Sequence, residues 1–221
     1  MQKEEKAARV GDKEARFQLE VLNRHKAHLE DFQNIRTLSI QDNEQKVVAD
    51  MMLLTAKPTI YICNVDEKSA LSGNKYSEAV QQFLKDSQSE VLIIAGKLES
   101  EITELDADDR TLFLEDVGLT EPGVNKLLRA AYKTLNLISF FTVGGKENRA
   151  WTITHGMTAP QAAGVIHSDL ERGFIRAEVI KYNDLIEFGS EHKCKESGKL
   201  AVEGKNYIVN DGDILHIRFN V

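Results

Sequence analysis

Two short, unbroken apolar runs, Thr59-Ile60-Tyr61-Ile62-Cys63 and Val91-Leu92-Ile93-Ile94-Ala95, interrupt an otherwise amphipathic chain. Runs of this length without polar alternation read as strands covered on both faces of a parallel sheet. Between them, Ser77 to Asp86 carries Val80, Phe83 and Leu84 at helical spacing, so the three segments read as a βαβ unit. Upstream, residues 1–50 are rich in Ala, Glu, Lys, Gln and Leu and hold a single break at Gly11-Asp12. Gly11 suits a helix C-cap and Asp12 the N-cap of the next helix, which gives the tip of a helical hairpin. The second arm carries Ala15, Leu19, Leu22 and Leu29, a narrow apolar stripe of the coiled-coil kind. A first arm of about ten residues cannot cover that stripe, and a missing upstream segment is expected to do so.

After the second apolar run the chain continues as helices. Ala107-Asp108-Asp109-Arg110 leads into Leu112, Phe113 and Leu114, and Pro122-Gly123 opens a helix through Val124, Leu127, Leu128 and Ala131. Two strands alone do not make a stable open sheet, so this region reads as incomplete. Near Ile138 the texture changes again. Ser139 to Val143 and Ala150 to Thr154 flank Gly144-Gly145 and read as a hairpin. A helix is expected over Ala159 to Glu171 and a strand over Arg176 to Lys181. Closing strands are expected at Tyr207 to Val209 and Ile214 to Phe219, either side of Asn210-Asp211-Gly212-Asp213. A hairpin, a packed helix and returning strands describe a ubiquitin-like β-grasp module. The fold class is therefore α/β plus α+β: a helical hairpin remnant over 1–56, a partial parallel sheet over 57–137 and a β-grasp domain over 138–221.

Composition narrows the function classes. With 42% apolar residues the chain can bury a core. No run of about 18 apolar residues exists, and the start Met1-Gln2-Lys3-Glu4-Glu5-Lys6 has no apolar stretch after it. Neither a membrane span nor a secretory signal is visible, and a cytoplasmic location is the expectation. Cys63 and Cys194 are the two cysteines, without a CxxC partner, which excludes a disulfide framework and a zinc site of ordinary spacing. The net charge is −7, with the acidic excess concentrated between Glu99 and Glu121. That balance argues mildly against a nucleic-acid reader, although a local basic patch stays open.

Candidate chemistry lies where the two apolar runs end. Asn64-Val65-Asp66-Glu67 follows the first strand, and Gly96-Lys97 follows the second. Ligands of open α/β sheets bind outside the carboxyl ends of the strands. There an Asn can contact a purine edge, a carboxylate three residues on can accept from the base, a backbone N–H can meet it, and a lysine stem can cover its face. Guanine-specific loops of this class read Asn-Lys-x-Asp; here Val65 replaces Lys and Glu67 replaces Asp, moving the acceptor by about one methylene and weakening guanine geometry. A plain Asx turn capping the strand is the alternative reading of Asn64-Val65-Asp66.

Several segments resemble the YchF/Obg-like ATPase family. They are Gly11-Asp12-Lys13-Glu14-Ala15, Leu53 to Pro58, Asn64 to Glu67, Phe113 to Leu119, Ala159 to His167, Glu171 to Val179, and Asp211 to Val221. The similarity covers essentially the whole chain. It implies a helical hairpin inserted in a P-loop domain, so that 57–137 would be the C-terminal half of that domain and 138–221 a TGS domain. It also implies ATP as ligand, preferred over GTP through NxxE, with Asn64, Val65, Glu67, Gly96 and Lys97 around the base, and association with the ribosome. The family's phosphate loop, magnesium-binding threonine and DxxG loop have no counterpart here; Gly73-Asn74-Lys75-Tyr76-Ser77 lacks the GxxxxGK(S/T) spacing. No catalytic residue and no metal ligand is assigned; Mg2+ is expected only with a further upstream half, and no ATP hydrolysis by this chain alone. Ala95 stands where the family usually has Ser.

Other residues admit blander readings. His155, His167 and His216 share no ligand spacing and fit packing or surface roles, with His167 in the TGS signature as a structural or partner contact. Cys63 reads as an inert buried thiol. The acidic stretch from Glu99 to Glu121 reads as a solvated helical face. Arg172, Arg176 and Lys181 flank a strand beside Phe174, expected to be exposed. They read either as a solvated strand edge or as a contact to RNA phosphates with an aromatic alongside, and the family resemblance favours interaction. A non-catalytic ribosome or RNA interaction module is the second reading of the chain. Oligomeric state is left open.

Overall fold

The computed structural model describes residues 2–87, 89–144 and 147–220. It is a mixed α/β protein that divides into two compact units, one of residues 1–61 and 84–90, the other of 62–83 and 91–221.

In the first unit α1 (Gln2–Arg9) packs against α2 (Lys13–Glu30). Gly11 takes φ +96°, a turn conformation that glycine adopts without steric cost. Asp12 then caps α2, its carboxylate accepting from the amides of Glu14 at 2.9 Å and Ala15 at 3.2 Å. The Arg16 guanidinium closes the turn by donating to the Ala8 carbonyl at 3.2 Å. The stripe differs from the expected one. Ala15, Val21 and His25 are buried, whereas Leu19 and Leu22 are half-buried and Leu29 is exposed. A short helix, α3 (Gln45–Asp50), follows, and Glu44 just before it pairs with Arg24 of α2 while accepting from the Gln41 amide at 3.0 Å. The backbone bond from Gln41 and the Arg24 charge hold the Glu44 carboxyl below its usual range.

Strands β1 (Ile60–Asn64) and β2 (Glu90–Ile94) form a two-stranded sheet. The expectation that both are buried on each face is corrected: every residue of β2 is half-buried, and Ile62 of β1 is 49% exposed. Two strands lack the neighbours that would cover both faces. Helix α4 (Lys75–Phe83) lies between them in sequence, but Phe83 is 87% exposed, so its apolar face is narrower than the spacing predicted. Helices α5 (Gly96–Glu104), α6 (Ala107–Asp116) and α7 (Gly123–Thr134) follow β2. Leu98 and Ile102 of α5 pack with Ala95, Leu114 and Leu119, and half-buried Val65 joins them.

The rest of the second unit is a five-stranded sheet in the order β4-β3-β7-β5-β6. It comprises β3 (Leu137–Thr142), β4 (Arg149–Thr154), β5 (Phe174–Lys181), β6 (Ala201–Glu203) and β7 (Asp213–Phe219). Strands β3 and β4 pair antiparallel, Phe140 opposite Trp151, as the hairpin pattern predicts. Gly145, half of the turn expected there, lies outside the described residues. Strand β7 runs parallel to β3 and antiparallel to β5. Helix α8 (Ala159–Ile166) is set by a capping box, the Thr158 amide donating to Gln161 Oε1 at 2.8 Å, and buries Ala159, Ala162 and Ala163. Those alanines meet Phe140, Phe174, Val179 and Leu215 in one core. The next residues along the same strands, Ile180 and Ile214, point to the opposite face and pack with Cys194. Alternating side chains of β5 and β7 thus serve two cores, covered by α8 and by α10 (Tyr182–Phe188) with α11 (Glu191–Glu196). Helix α9 (Ser168–Arg172) connects α8 to β5.

One strand expected from sequence is absent in that form. Tyr207 to Val209 makes an isolated bridge, Ile208 to Thr158, and the edge strand beside β5, opposite β7, is the three-residue β6.

Candidate functional site

The two strand ends expected to carry chemistry meet. The Val65 amide donates to the Ile94 carbonyl at 2.9 Å, prolonging the strand pairing into the loops. Asn64 Oδ1 then accepts the Gly96 amide at 3.0 Å. That bond satisfies a donor at the first turn of α5, whose N-cap residue Ala95 offers no side-chain acceptor. Asn64 here does the capping that Ser or Asp at the N-cap ordinarily does. Gly96 also leaves room for it, since a Cβ at that position would lie 3.1 Å from Asn64 Oδ1.

Past Asn64 the chain turns at Asp66, whose carboxylate accepts from the Ser69 amide at 3.0 Å. Asp66 thus caps the 3-10 turn Glu67–Ser69, which differs from the Asx turn of Asn64 considered from sequence, since the Asn64 side chain is engaged by Gly96. Lys97 Nζ sits 2.7 Å from Glu67 Oε1 and 3.6 Å from Glu101. The Glu67 hydrogen bond and charge, with Glu101 beside them, hold the Lys97 ammonium above its usual range. Asn64, Glu67, Gly96 and Lys97 are exposed, and Val65 is half-buried against the α5 core. The result is a rim of one amide, one carboxylate and one ammonium over a backbone corner held by packing.

Sequence reasoning named these five residues and missed that Lys97 engages Glu67 directly. From sequence, its stem is expected over the face of a ligand. The signal was available in the opposite charges, but their spatial neighbourhood depends on how the Asp66 turn folds back.

The second group of candidates is not assembled in the manner expected. Phe174 is 4% exposed and sits in the core with α8, which corrects the expectation that it is available to stack. A bulge between Phe174 and Arg176 in the pairing of β5 with β7 shifts side-chain parity, so Phe174 turns inward while Ile175 and Arg176 both face out. Arg172 is paired with Asp169, and Arg176 lies 3.9 Å from Glu178, which Arg218 also holds at 2.9 Å. Lys181 Nζ donates to Asp213 at 2.6 Å and to the Tyr207 hydroxyl at 2.9 Å. Asp213 is wholly buried and accepts further from the Tyr207 hydroxyl at 2.6 Å and from the Asn210 amide at 2.9 Å. All three cations thus have carboxylate partners.

The histidines are placed in structural roles. His167 Nδ1 accepts from the Asp169 amide at 3.2 Å to cap α9, and His216 lies 2.9 Å from Glu191. His25, unmarked by the sequence reading, is buried in α2 with Nδ1 2.7 Å from the Val21 carbonyl, and its Nε2 has no partner among the described residues. Among the described residues, no group of three or more His, Cys, Asp or Glu could hold a metal ion, and no helix is long and apolar enough to cross a membrane.

Known proteins share this arrangement of sequence. A family model described as YchF-GTPase_C, protein of unknown function (DUF933), matches residues 137–220. The Ribosome-binding ATPase YchF of Haemophilus influenzae is 46% identical over 221 residues, all of this chain and 61% of the relative. That of Bacillus subtilis is 43% identical over 218 residues, 98% of this chain and 60% of the relative. The structure of the Schizosaccharomyces pombe YchF GTPase superposes with a TM-score of 0.84 at 30% identity, covering 93% of this chain and 55% of that one. A GTP binding protein from Pyrococcus horikoshii, at TM-score 0.55 and 16% identity, shares the fold alone. The chain therefore spans about three fifths of the curated relatives it matches, and along its entire length it is a member of the YchF family, corresponding to the part that ends in the YchF-GTPase_C region.

Proposed function

We propose that this chain supplies the base-recognising part and the C-terminal domain of a ribosome-associated, ATP-binding protein of the YchF kind. Asn64, Val65, Glu67, Gly96 and Lys97 surround the purine base in this reading, and Glu67 disfavours guanine relative to the shorter Asp of guanine-specific loops. The observation that carries it is the Asn64–Gly96 bond of 3.0 Å, which fuses two loops at strand carboxyl ends into one rim. The residues present offer the groups a base would use: the Asn64 amide, the Glu67 carboxylate and the Lys97 ammonium are exposed, and Gly96 carries no side chain that would press on Asn64. They supply no phosphate cradle, because the chain has no GxxxxGK(S/T) pattern, so phosphoryl transfer and its Mg2+ are not assigned to it.

In the same reading, residues 1–56 are part of a helical hairpin, 57–137 the C-terminal half of a P-loop domain, and 138–221 a TGS domain of β-grasp fold. The order β4-β3-β7-β5-β6, with α8 across one face, supports the β-grasp assignment. The ribosome is the proposed partner, from the printed names of relatives 46% and 43% identical. The alternative, an RNA module working through Arg172, Arg176 and Lys181, would require each cation to exchange a carboxylate for a phosphate, with no help from buried Phe174. Titration of the chain with ATP, GTP and ribosomes tests the proposal. Adenine-selective binding with ribosome association supports it. Ribosome binding with no nucleotide binding replaces it by the interaction module, and binding of neither rejects both.

A further inference from the structure

The geometry points to Lys97 as a specificity-determining residue: by holding Oε1 of Glu67, it turns a two-oxygen acceptor suited to guanine into a one-oxygen acceptor suited to adenine. The inference rests on the base-site reading above. An ionised carboxylate accepts through both oxygens and matches a pair of parallel donors. Guanine presents such a pair, N1–H and N2–H, whereas adenine presents only its N6 amino group beside the N1 lone pair. A free Glu67 carboxylate would therefore favour guanine and repel adenine N1, whatever the extra methylene costs in reach.

In this chain Glu67 is not free. Lys97 Nζ is 2.7 Å from Oε1, and Glu101, 3.6 Å from the same ammonium and one helical turn along α5, keeps the cation at this spot. Lys97 stands directly after Gly96, whose amide is bonded to Asn64, so the ammonium is anchored to the same corner that positions the base. The pair is exposed without ligand, with side-chain exposures of 78% for Lys97 and 47% for Glu67, and is weak in water. A base laid over the rim would exclude solvent and strengthen it. The ammonium then compensates the charge that adenine N1 would meet and leaves Oε2 for the N6 amino group.

The test uses the 221-residue chain and NMR titrations with ATP and with GTP, comparing wild type with Lys97→Met, Glu67→Gln and the double variant. Lys97→Met keeps most of the stem and removes the donor, and dispersed amide spectra report that each variant is folded. The expected result is ATP preference in wild type and a shift of the GTP-to-ATP affinity ratio toward GTP by about tenfold in Lys97→Met, the scale of one hydrogen bond to a charged group. In the Glu67→Gln background, Lys97→Met should leave the ratio unchanged. An unchanged ratio in the single variant, with both nucleotides still bound, overturns the inference and leaves the base site standing, as does a shift that persists without Glu67. Binding of neither nucleotide by wild type overturns the base site and this inference with it.

Discussion

Asn64 and Gly96, 32 positions apart in the chain, are joined by one hydrogen bond of 3.0 Å from the glycine amide to the asparagine side chain. The bond caps α5 from a neighbouring strand end rather than from the helix's own N-cap residue, which is alanine. Removing it should loosen the corner. Asn64→Ala is expected to cost about 1 kcal/mol, the range of a lost helix cap, and to speed hydrogen exchange of the Gly96 amide. Asn64→Asp, which retains the acceptor, should restore most of the protection. Equal exchange rates in wild type and Asn64→Ala would show that the bond does not hold the corner.

A second prediction concerns the close approach of β7's end to Gly173. A Cβ there would lie 2.3 Å from the Asn220 carbonyl oxygen, and the Asn220 amide already donates to the Gly173 carbonyl at 2.9 Å. Backbone, not a flexible side chain, would have to move. Gly173→Ala should destabilise by roughly 1–3 kcal/mol, as overpacking does. Gly204→Ala, with nothing within 4 Å of the added methyl, should stay within about 0.5 kcal/mol of wild type. Urea unfolding of the two variants provides the comparison.

The buried carboxylate of Asp213 yields a third. It accepts from Lys181, the Tyr207 hydroxyl and the Asn210 amide while itself wholly buried. Asp213→Ala leaves those donors without their acceptor and should cost about 2–3 kcal/mol, with part of the charged loss relieved because Lys181 is half-exposed and can turn to water. Asp213→Asn should cost less. Thermal unfolding of both variants checks the order.

The pH dependence of stability has opposite signs in the two units. The Gln41 amide and Arg24 depress Glu44 below its ordinary 4.5. Its contribution is present above that unfolded value and is lost as pH falls through the lower folded value. The helical unit should therefore weaken in acid, and Glu44→Gln should flatten that dependence. For Lys181, burial lowers the ammonium, but its bonds to Asp213 and Tyr207 outweigh burial and leave it above the ordinary 10.5. Its contribution is complete below 10.5 and is lost as pH rises through the folded value. Amide signals of the two units followed across pH separate the effects.

The strand ends and the hairpin β3–β4 were legible because apolar runs and a glycine turn are local signals, whereas the single helix expected over Ala159 to Glu171 breaks at His167, whose extended backbone caps α9. Strand β6 was not, since three residues, Ala201 to Glu203, become a strand only by pairing with β5. The inward turn of Phe174 was hidden for a related reason: a bulge changes parity, and its position depends on the partner strand. His25 lies four residues after Val21 on the buried side of α2, a place where simple heptad counting favoured Leu22 and Leu29. At the candidate site the residues themselves were readable from their place after two apolar runs. The Lys97–Glu67 contact was not, because it depends on the Asp66 turn folding Glu67 back over α5.

The proposed base site consists of Asn64, Glu67 and the Gly96-Lys97 corner and tolerates adenine. An amide NMR titration of the chain with ATP and GTP tests it most directly. Saturable shifts centred on Asn64, Val65, Gly96 and Lys97 are expected, at lower concentration for ATP than for GTP, with their loss in Asn64→Ala. Shifts confined to other parts of the chain, or none with either nucleotide, would contradict it.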